Sequence, residues 1–346
     1  MCSIIEPMQK NKSAVKTIAE IGQAHDGSLG LAHSYIEALK NTGVDAIKFQ
    51  IHIADAESSI KEKFRKKFSY KDKTRIDYWR RIEFSQNEWL ELKKHCEHNN
   101  MEFIASPFSI AAMNLLNNIG QKVFKIASGE VNNYFLIDQI IQLKKEIIIS
   151  SGLSNFKELD ESVKRIKRKK IKLSVLQCTS SYPTKLDNIG LNVIKEMKKR
   201  YEIPTGLSDH SGNPNILLAA TALGADLLEF HVTFSKKSFG PDNSSSIEIN
   251  KIQELIEGIK NIKSCINNPI DKNNLKKNSQ IKKIFSKSMA INKDIKKNQI
   301  IVSSDLETKK PGGQGINAKD YLKIVGKKIN KDMKKNSFLK KSDLKK

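Results

Sequence analysis

Two histidines close consecutive apolar segments of this chain, and two lysines are embedded in others. His210 ends PTGLSDH (204–210) and His231 lies near the end of LLEFHVT (227–233), with the helical stretch NPNILLAATALGA between them. If the two segments are parallel neighbours, the crossover returns both imidazoles to one rim of a sheet. A lone histidine is more often structural. A pair at one rim can hold a divalent metal whose remaining positions go to water and substrate oxygens, which suits Mn²⁺, with Mg²⁺ or Co²⁺ as alternatives. Lys48 in AIKFQI (46–51) and Lys125 in VFKIAS (123–128) raise a second question, because a buried ammonium is costly unless compensated. Three readings stand: structural ion pairs with Glu20, Glu130 or Glu229; an anionic ligand, phosphate or carboxylate, held by two cations; or a Schiff-base lysine whose pKa burial depresses.

The other apolar segments also end in polar residues. TIAEIG (17–22) carries Glu20, AIKFQI carries Gln50 beside Lys48, and EFIASPF (102–108) carries Ser106. After Lys125 come Ser128 and Glu130; EIIISSG (146–152) ends in Ser150 and Ser151. LSVLQCT (173–179) leads into Thr179, Ser180 and Tyr182, and the last two segments add Ser208, Asp209 and Glu229. His25, in GQAHDGS, is either a further ligand or a loop histidine bonded to backbone. His33, His52, His95 and His98 fall on helices or in loops and read as surface residues. Asp242, in GPDNSSS, is a turn residue that follows the last segment at the same rim.

These eight segments alternate with amphipathic helical stretches, and short apolar strands of this kind are buried on both faces. Several helices follow Ser or Asn caps. Eight βα units in about 250 residues predict an α/β fold, a (β/α)8 TIM barrel, with its chemistry at the C-terminal strand ends. An open doubly wound sheet would carry a glycine-rich fingerprint after the first strand, and TIAEIGQAHDGS has none. The boundaries expected are a polar tail at 1–16, the barrel at 17–264, a linker at 265–282 and a small β-rich domain at 283–346. The long connection 52–84, with Tyr70, Tyr78 and Trp79, reads as an active-site flap with helical parts.

Bulk properties narrow the function classes. The 346 residues carry a formal net charge of +23, yet the lysines are spread among Ile and Asn along the whole chain, and the densest runs lack interleaved aromatics. No nucleic-acid partner is expected; a positive field would steer a small anion. No apolar run is long enough to cross a membrane, and the N-terminus lacks a signal-peptide core. Cys2, Cys96, Cys178 and Cys265 are scattered without a CxxC, which fits a reduced, cytoplasmic setting.

The motifs AEIGQAHDGS, DAIKFQ, FIASPFS, KIASGEVNN, IISSGLS, CTSSYPT, GLSDHS, LEFHVT and GPDNSSS together resemble the sialic acid synthases, a family that includes N-acetylneuraminate, pseudaminic acid and legionaminic acid synthases. INKDIKKNQIIVSSDLETKKPGGQGI resembles that family's C-terminal antifreeze-like (SAF) domain. The resemblance implies condensation of phosphoenolpyruvate with an N-acetylated amino sugar aldehyde, giving a nine-carbon 2-keto acid and phosphate. It implies that His210 and His231 bind the metal, and that Glu20, Glu130 and His231 act at the reacting centre. Lys48, Ser106, Lys125, Ser128, Ser150 and Ser208 match positions that hold phosphoenolpyruvate. Gln50, Tyr182 and Asp242 match positions that face the sugar. A domain-swapped homodimer is implied too, each small domain capping the partner's barrel.

Two departures stand out. An arginine that precedes the Pro-Gly of the small domain in many bacterial members is replaced here by Lys309 and Lys310, and lysine cannot reproduce a bidentate guanidinium contact. Ser180 stands where an asparagine often lines the phosphoenolpyruvate site. The competing readings are a class I aldolase on Lys125 or Lys48, and a non-enzymatic carbohydrate-binding protein.

Overall fold

Parallel strands of four to seven residues set the architecture, because their apolar side chains are covered on both faces. The computed structural model describes residues 14–66, 68–274 and 278–345. Strands β1 (Lys16–Gly22), β2 (Ala46–Ile51), β3 (Glu102–Pro107), β4 (Val123–Ile126), β5 (Glu146–Ser150), β6 (Leu173–Cys178), β7 (Thr205–Asp209) and β8 (Leu227–Thr233) lie side by side in sequence order, each paired with the next. All these pairings are parallel, and β8 pairs with β1 to close the barrel. A two-residue strand, β9 (Ile247–Glu248), adds to β8 past the rim.

The helices follow the strands in turn. They are α1 (Leu29–Leu39) after β1, and α2 (Ala54–Glu57), α3 (Arg75–Ile82) and α4 (Gln86–His98) after β2. Then come α5 (Ile110–Asn118), α6 (Tyr134–Gln142), α7 (Phe156–Lys167), α8 (Leu191–Tyr201), α9 (Pro214–Ala222) and α10 (Ile252–Asn267), one after each of β3 to β8. The side chains of Ser28, Ser85, Ser109, Asn133, Asn155 and Asn213 each accept a first-turn amide, so polar loop residues start the helices as the caps predict.

Two-residue strand periodicity sorts the barrel interior into layers. Ile18, Ala46, Ile104, Val123, Ile148, Leu176 and Leu227 form one apolar cluster that plugs the lower interior. Two residues further along each strand, the inward positions are Glu20, Lys48, Ser106, Lys125, Ser150, Cys178 and Glu229, all buried. On β7 the same step runs from Gly206 to Ser208. A Cβ on Gly206 would lie 1.8 Å from the Leu227 carbonyl oxygen, so glycine lets β7 approach β8 closely. The residues between these inward positions, such as Phe49, Phe103, Phe124, Ile149 and Phe230, pack outward against the helices in the main core.

The chain divides into two compact units, Met1–Asn268 and Pro269–Lys346. The second holds α11 (Ser279–Phe285) and the antiparallel pair β10 (Ser288–Ile291) and β11 (Leu306–Lys309). Its core gathers Met289, Ile291, Ile295, Ile301, Ile316, Ile324, Ile329, Met333 and Leu339.

Three boundary expectations need adjusting. The expected linker 265–282 is helical at both ends, since α10 runs through Asn267 and α11 begins at Ser279. Pro269 disfavours helical geometry at Asn268, which marks the end of α10. Of the expected tail 1–16, residues 1–13 lie outside the described part, and Lys16 already belongs to β1. Strand ends are also shorter than the apolar runs suggest: β4 stops at Ile126, and Ser128–Glu130 form a 3-10 turn. Among the described residues no helix is long and apolar enough to cross a membrane.

Candidate active site

The polar layer is an alternating charge cluster. Lys48 Nζ lies 2.7 Å from Glu20 Oε2 and 3.6 Å from Glu229 Oε1. Lys125 Nζ lies 3.5 Å from the same Glu229 oxygen and donates to Ser150 Oγ at 2.7 Å. Ser208 donates to Glu229 at 3.1 Å, and Lys48 reaches Ser106 Oγ at 3.5 Å. Burial alone would raise the Glu229 pKa, but the two ammonium groups outweigh it and hold the carboxyl at about 2. Glu20 goes the other way: burial, helped by the negative Glu229, lifts it above the usual carboxylate range despite Lys48. The lysines differ as well. Burial lowers Lys125, whereas on Lys48 the two carboxylates overcome it and raise the pKa.

Above this layer a cavity of about 480 Å³ opens at the C-terminal rim. Two further residues up, the inward positions include Gln50, Phe108, Ser180, His210 and His231, all of which line it. The His210 and His231 rings lie 5.3 Å apart between centroids. His210 Nδ1–H donates to the Thr179 carbonyl at 3.0 Å, which leaves its Nε2 lone pair free of that bond. Burial opposes charge on His210, yet Cys178 and the Thr179 carbonyl outweigh it and make the ring more basic than a free imidazole. Burial holds His231 at about 3, hence neutral. Tyr182 stacks on His210 with centroids 4.1 Å apart.

The barrel residues that the sequence assigns to substrate, metal or the reacting centre all line this one cavity: Glu20, Lys48, Gln50, Ser106, Lys125, Ser128, Glu130, Ser150, Tyr182, Ser208, His210, His231 and Asp242. Ser128 accepts from the Gly152 amide at 3.0 Å. Glu130 accepts from Asn133 at 2.6 Å, and burial raises its pKa. Lys310 is not among these residues; it belongs to the second unit, with Nζ 4.9 Å from the Phe285 ring centroid. Three other polar strand-end residues point out of the barrel because they are one position out of phase. Ser151 bonds Gln177, Thr179 Oγ1 donates to the Asn188 carbonyl, and Asp209 accepts from Ser211. His25 takes the structural option: buried against Phe84, it accepts from the Gly27 amide through Nδ1.

His52 corrects the expectation of a surface histidine. It is 7% exposed, sandwiched between Trp79 and Phe108 with centroids 3.7 and 4.4 Å away, and it lines the cavity. The reason is the flap, whose α2 and α3 pack Ala54, Tyr78, Trp79 and Ile82 into a small core over the residues after β2. The flap also delivers Glu57, Glu62, Arg65 and Arg75 to the cavity wall, none of which sequence reasoning selected. Arg65 donates to Asp242 at 2.7 Å, and its guanidinium lies 3.9 Å over the Tyr182 ring. No local motif marks Arg65, because its partners lie more than a hundred residues away.

The NeuB family model matches residues 35–271, and the SAF domain model matches residues 287–345. The N,N'-diacetyllegionaminic acid synthase of Campylobacter jejuni is 34% identical over 316 residues, spanning 90% of this chain and 94% of that protein. The human N-acetylneuraminate-9-phosphate synthase is 30% identical over 326 residues, 90% of this chain and 88% of that one. The crystal structure of N-acetylneuraminic acid (sialic acid) synthetase from Leptospira borgpetersenii, in complex with citrate, superposes with a TM-score of 0.69 at 30% identity, covering 78% of this chain and 90% of that chain. With its barrel and its small domain each matched in order, the chain belongs to the NeuB family of sialic acid synthases and carries a C-terminal SAF domain.

Proposed function

We propose that the chain condenses phosphoenolpyruvate with the open-chain aldehyde of an N-acyl amino sugar, N-acetylmannosamine or a 2,4-diacetamido relative. The products would be a nine-carbon 2-keto acid and phosphate. The observation that carries this reading is the stacking of a two-lysine anion site directly beneath a histidine pair in a single cavity. Lys48 and Lys125, with the hydroxyls of Ser106, Ser128, Ser150 and Ser208, hold the phosphate and carboxylate of phosphoenolpyruvate. Gln50, Tyr182 and Asp242 orient the sugar, and Lys310 of a second copy is the candidate for its N-acyl group.

Carbon 3 of phosphoenolpyruvate attacks the aldehyde carbon, forming the new C–C bond, while the aldehyde oxygen takes a proton from Glu20. Burial raises the Glu20 pKa above the usual carboxylate range, which favours the acid form as the proton donor. Water adds to the cation developing at carbon 2 and gives its proton to Glu130. The tetrahedral intermediate then expels phosphate by C–O cleavage, the C2 hydroxyl proton passing to the departing phosphate as the keto group forms. The donor set fits a divalent cation, Mn²⁺ before Mg²⁺ or Co²⁺. Both rings are buried beside the cavity, His231 is neutral, and the Thr179 carbonyl fixes the His210 ring through its Nδ1–H, leaving Nε2 for a cation. No group of three metal-binding side chains occurs among the described residues, so water and substrate oxygens would complete the shell. Bound there, the cation would supply Lewis-acid polarisation of the aldehyde.

A second copy covering the mouth is part of the proposal. Ile60, Leu153 and Leu186, on loops at the cavity end of the barrel, are 80%, 65% and 61% exposed, which supports a covered rim. Phosphate release tests the function: it should require phosphoenolpyruvate, an N-acyl amino sugar and a divalent metal together. Activity that survives chelation, or is unchanged in His231→Ala, contradicts the metal site.

A further inference from the structure

His52 is a buried titratable group for which the condensation has no step. Its Nε2 lies 3.1 Å from Gln50 Oε1 and its Nδ1 2.7 Å from Glu57 Oε1. The Gln50 amide nitrogen donates to Glu20 Oε1 at 2.8 Å, and Gln23 Nε2 donates to Gln50 Oε1 at 3.4 Å. Gln50 Oε1 is therefore the acceptor in this chain, and His52 Nε2 must carry the hydrogen. That leaves two states for the other end: an imidazolium facing a carboxylate, or a neutral ring whose Nδ1 accepts from a protonated Glu57. Burial favours the neutral pair, lowering His52 to about 3 and raising Glu57 to about 8. Glu57 Oε2 is buried without a hydrogen-bond partner, a loss that a carboxylate suffers more than an acid. The charges around the ring, on Arg75, Glu62, Asp242 and Lys48, are of mixed sign. Stacking on Trp79 and Phe108 fixes the ring plane.

We propose that His52 and Glu57 are a positioning dyad: a neutral Nε2–H imidazole, held by protonated Glu57, locks the Gln50 amide so that its NH2 faces Glu20. The dyad couples the seating of α2 in the flap to the orientation of the carboxyl at the reacting centre. Neither residue touches the reacting atoms. The kinetic part of the inference rests on the proposed condensation; the hydrogen-bond part does not.

Two readouts on the full chain separate these parts. Long-range ¹H–¹⁵N spectra of the histidine rings, assigned with His52→Gln, should show His52 as the neutral Nε2–H tautomer at pH 6–8. An imidazolium or an Nδ1–H tautomer overturns the dyad whether or not the chain is active. In kinetics, Glu57→Leu and His52→Phe should lower kcat by about 10- to 100-fold, as misplacement of a reacting group does, with KM for phosphoenolpyruvate nearly constant. Glu57→Gln, whose amide still donates to Nδ1, should recover most of what Glu57→Leu loses. Equal losses in the two Glu57 variants, or unchanged kcat in His52→Phe, overturn the positioning role. If wild type condenses nothing, the functional reading falls while the tautomer still decides the dyad.

Discussion

Replacing Lys125 with methionine isolates the anion site, because the side chain keeps most of its volume while losing its charge and its donation to Ser150. Lys125 sits 3.5 Å from Glu229 Oε1, an attraction of about 5 kcal/mol at an effective dielectric of 20. Much of that is offset by the desolvation of both groups, and Glu229 keeps Lys48 at 3.6 Å and the Ser208 hydroxyl. The stability loss should therefore fall at the low end of the ~3–5 kcal/mol typical of a broken buried pair. Binding is the sharper test. Losing one charge-assisted contact costs about 1.5–3 kcal/mol, which converts to roughly 10- to 150-fold in affinity. Calorimetry with phosphoenolpyruvate, alongside steady-state KM values for both substrates, should place that loss on phosphoenolpyruvate and leave the amino sugar within a few-fold. Unchanged phosphoenolpyruvate affinity, or a loss borne by the sugar, refutes the assignment. So does a borohydride-trapped adduct on Lys125, which would make the amine a nucleophile instead of a counter-ion.

Other predictions draw on the flap. Burial pushes the Glu57 carboxyl up to about 8, from 4.5 when unperturbed, so the stability it contributes is complete below about pH 4.5 and is lost as pH rises through 8. Glu57→Gln should therefore gain stability relative to wild type between pH 5 and 8 in urea unfolding; a constant difference would contradict a raised pKa. Arg65 is 44% exposed at its side chain, and its ion pair with Asp242 is worth at most about 1 kcal/mol. Arg65→Ala should leave stability nearly unchanged, raise KM for the amino sugar several-fold and spare KM for phosphoenolpyruvate, as measured by initial rates.

The barrel was legible because the same feature repeats eight times: a short apolar run, then a capped amphipathic helix. The site was legible for a related reason. A lysine or glutamate inside an apolar strand has nowhere to go except the barrel interior, so Glu20, Lys48, Lys125 and Glu229 announced themselves. Period-two alternation also separates Ser150 from Ser151 and Ser208 from Asp209, since the residue in phase with Ile148 or Gly206 must point inward. His52 and the flap residues were harder to read. Their burial depends on how 52–84 folds back over β2, and tertiary packing of that kind leaves no local periodicity in the chain. Arg65 meets Asp242 across 177 residues, a contact set by the barrel's closure and not by any motif.

The most direct test of the condensation follows oxygen. Phosphoenolpyruvate labelled with ¹⁸O at the bridging position, incubated with the chain, a divalent metal and an N-acyl amino sugar, can be read by mass spectrometry of both products. Condensation with C–O cleavage predicts an unlabelled nine-carbon keto acid and labelled phosphate. Label retained in the keto acid, or labelled phosphate released without any nine-carbon product, would contradict it.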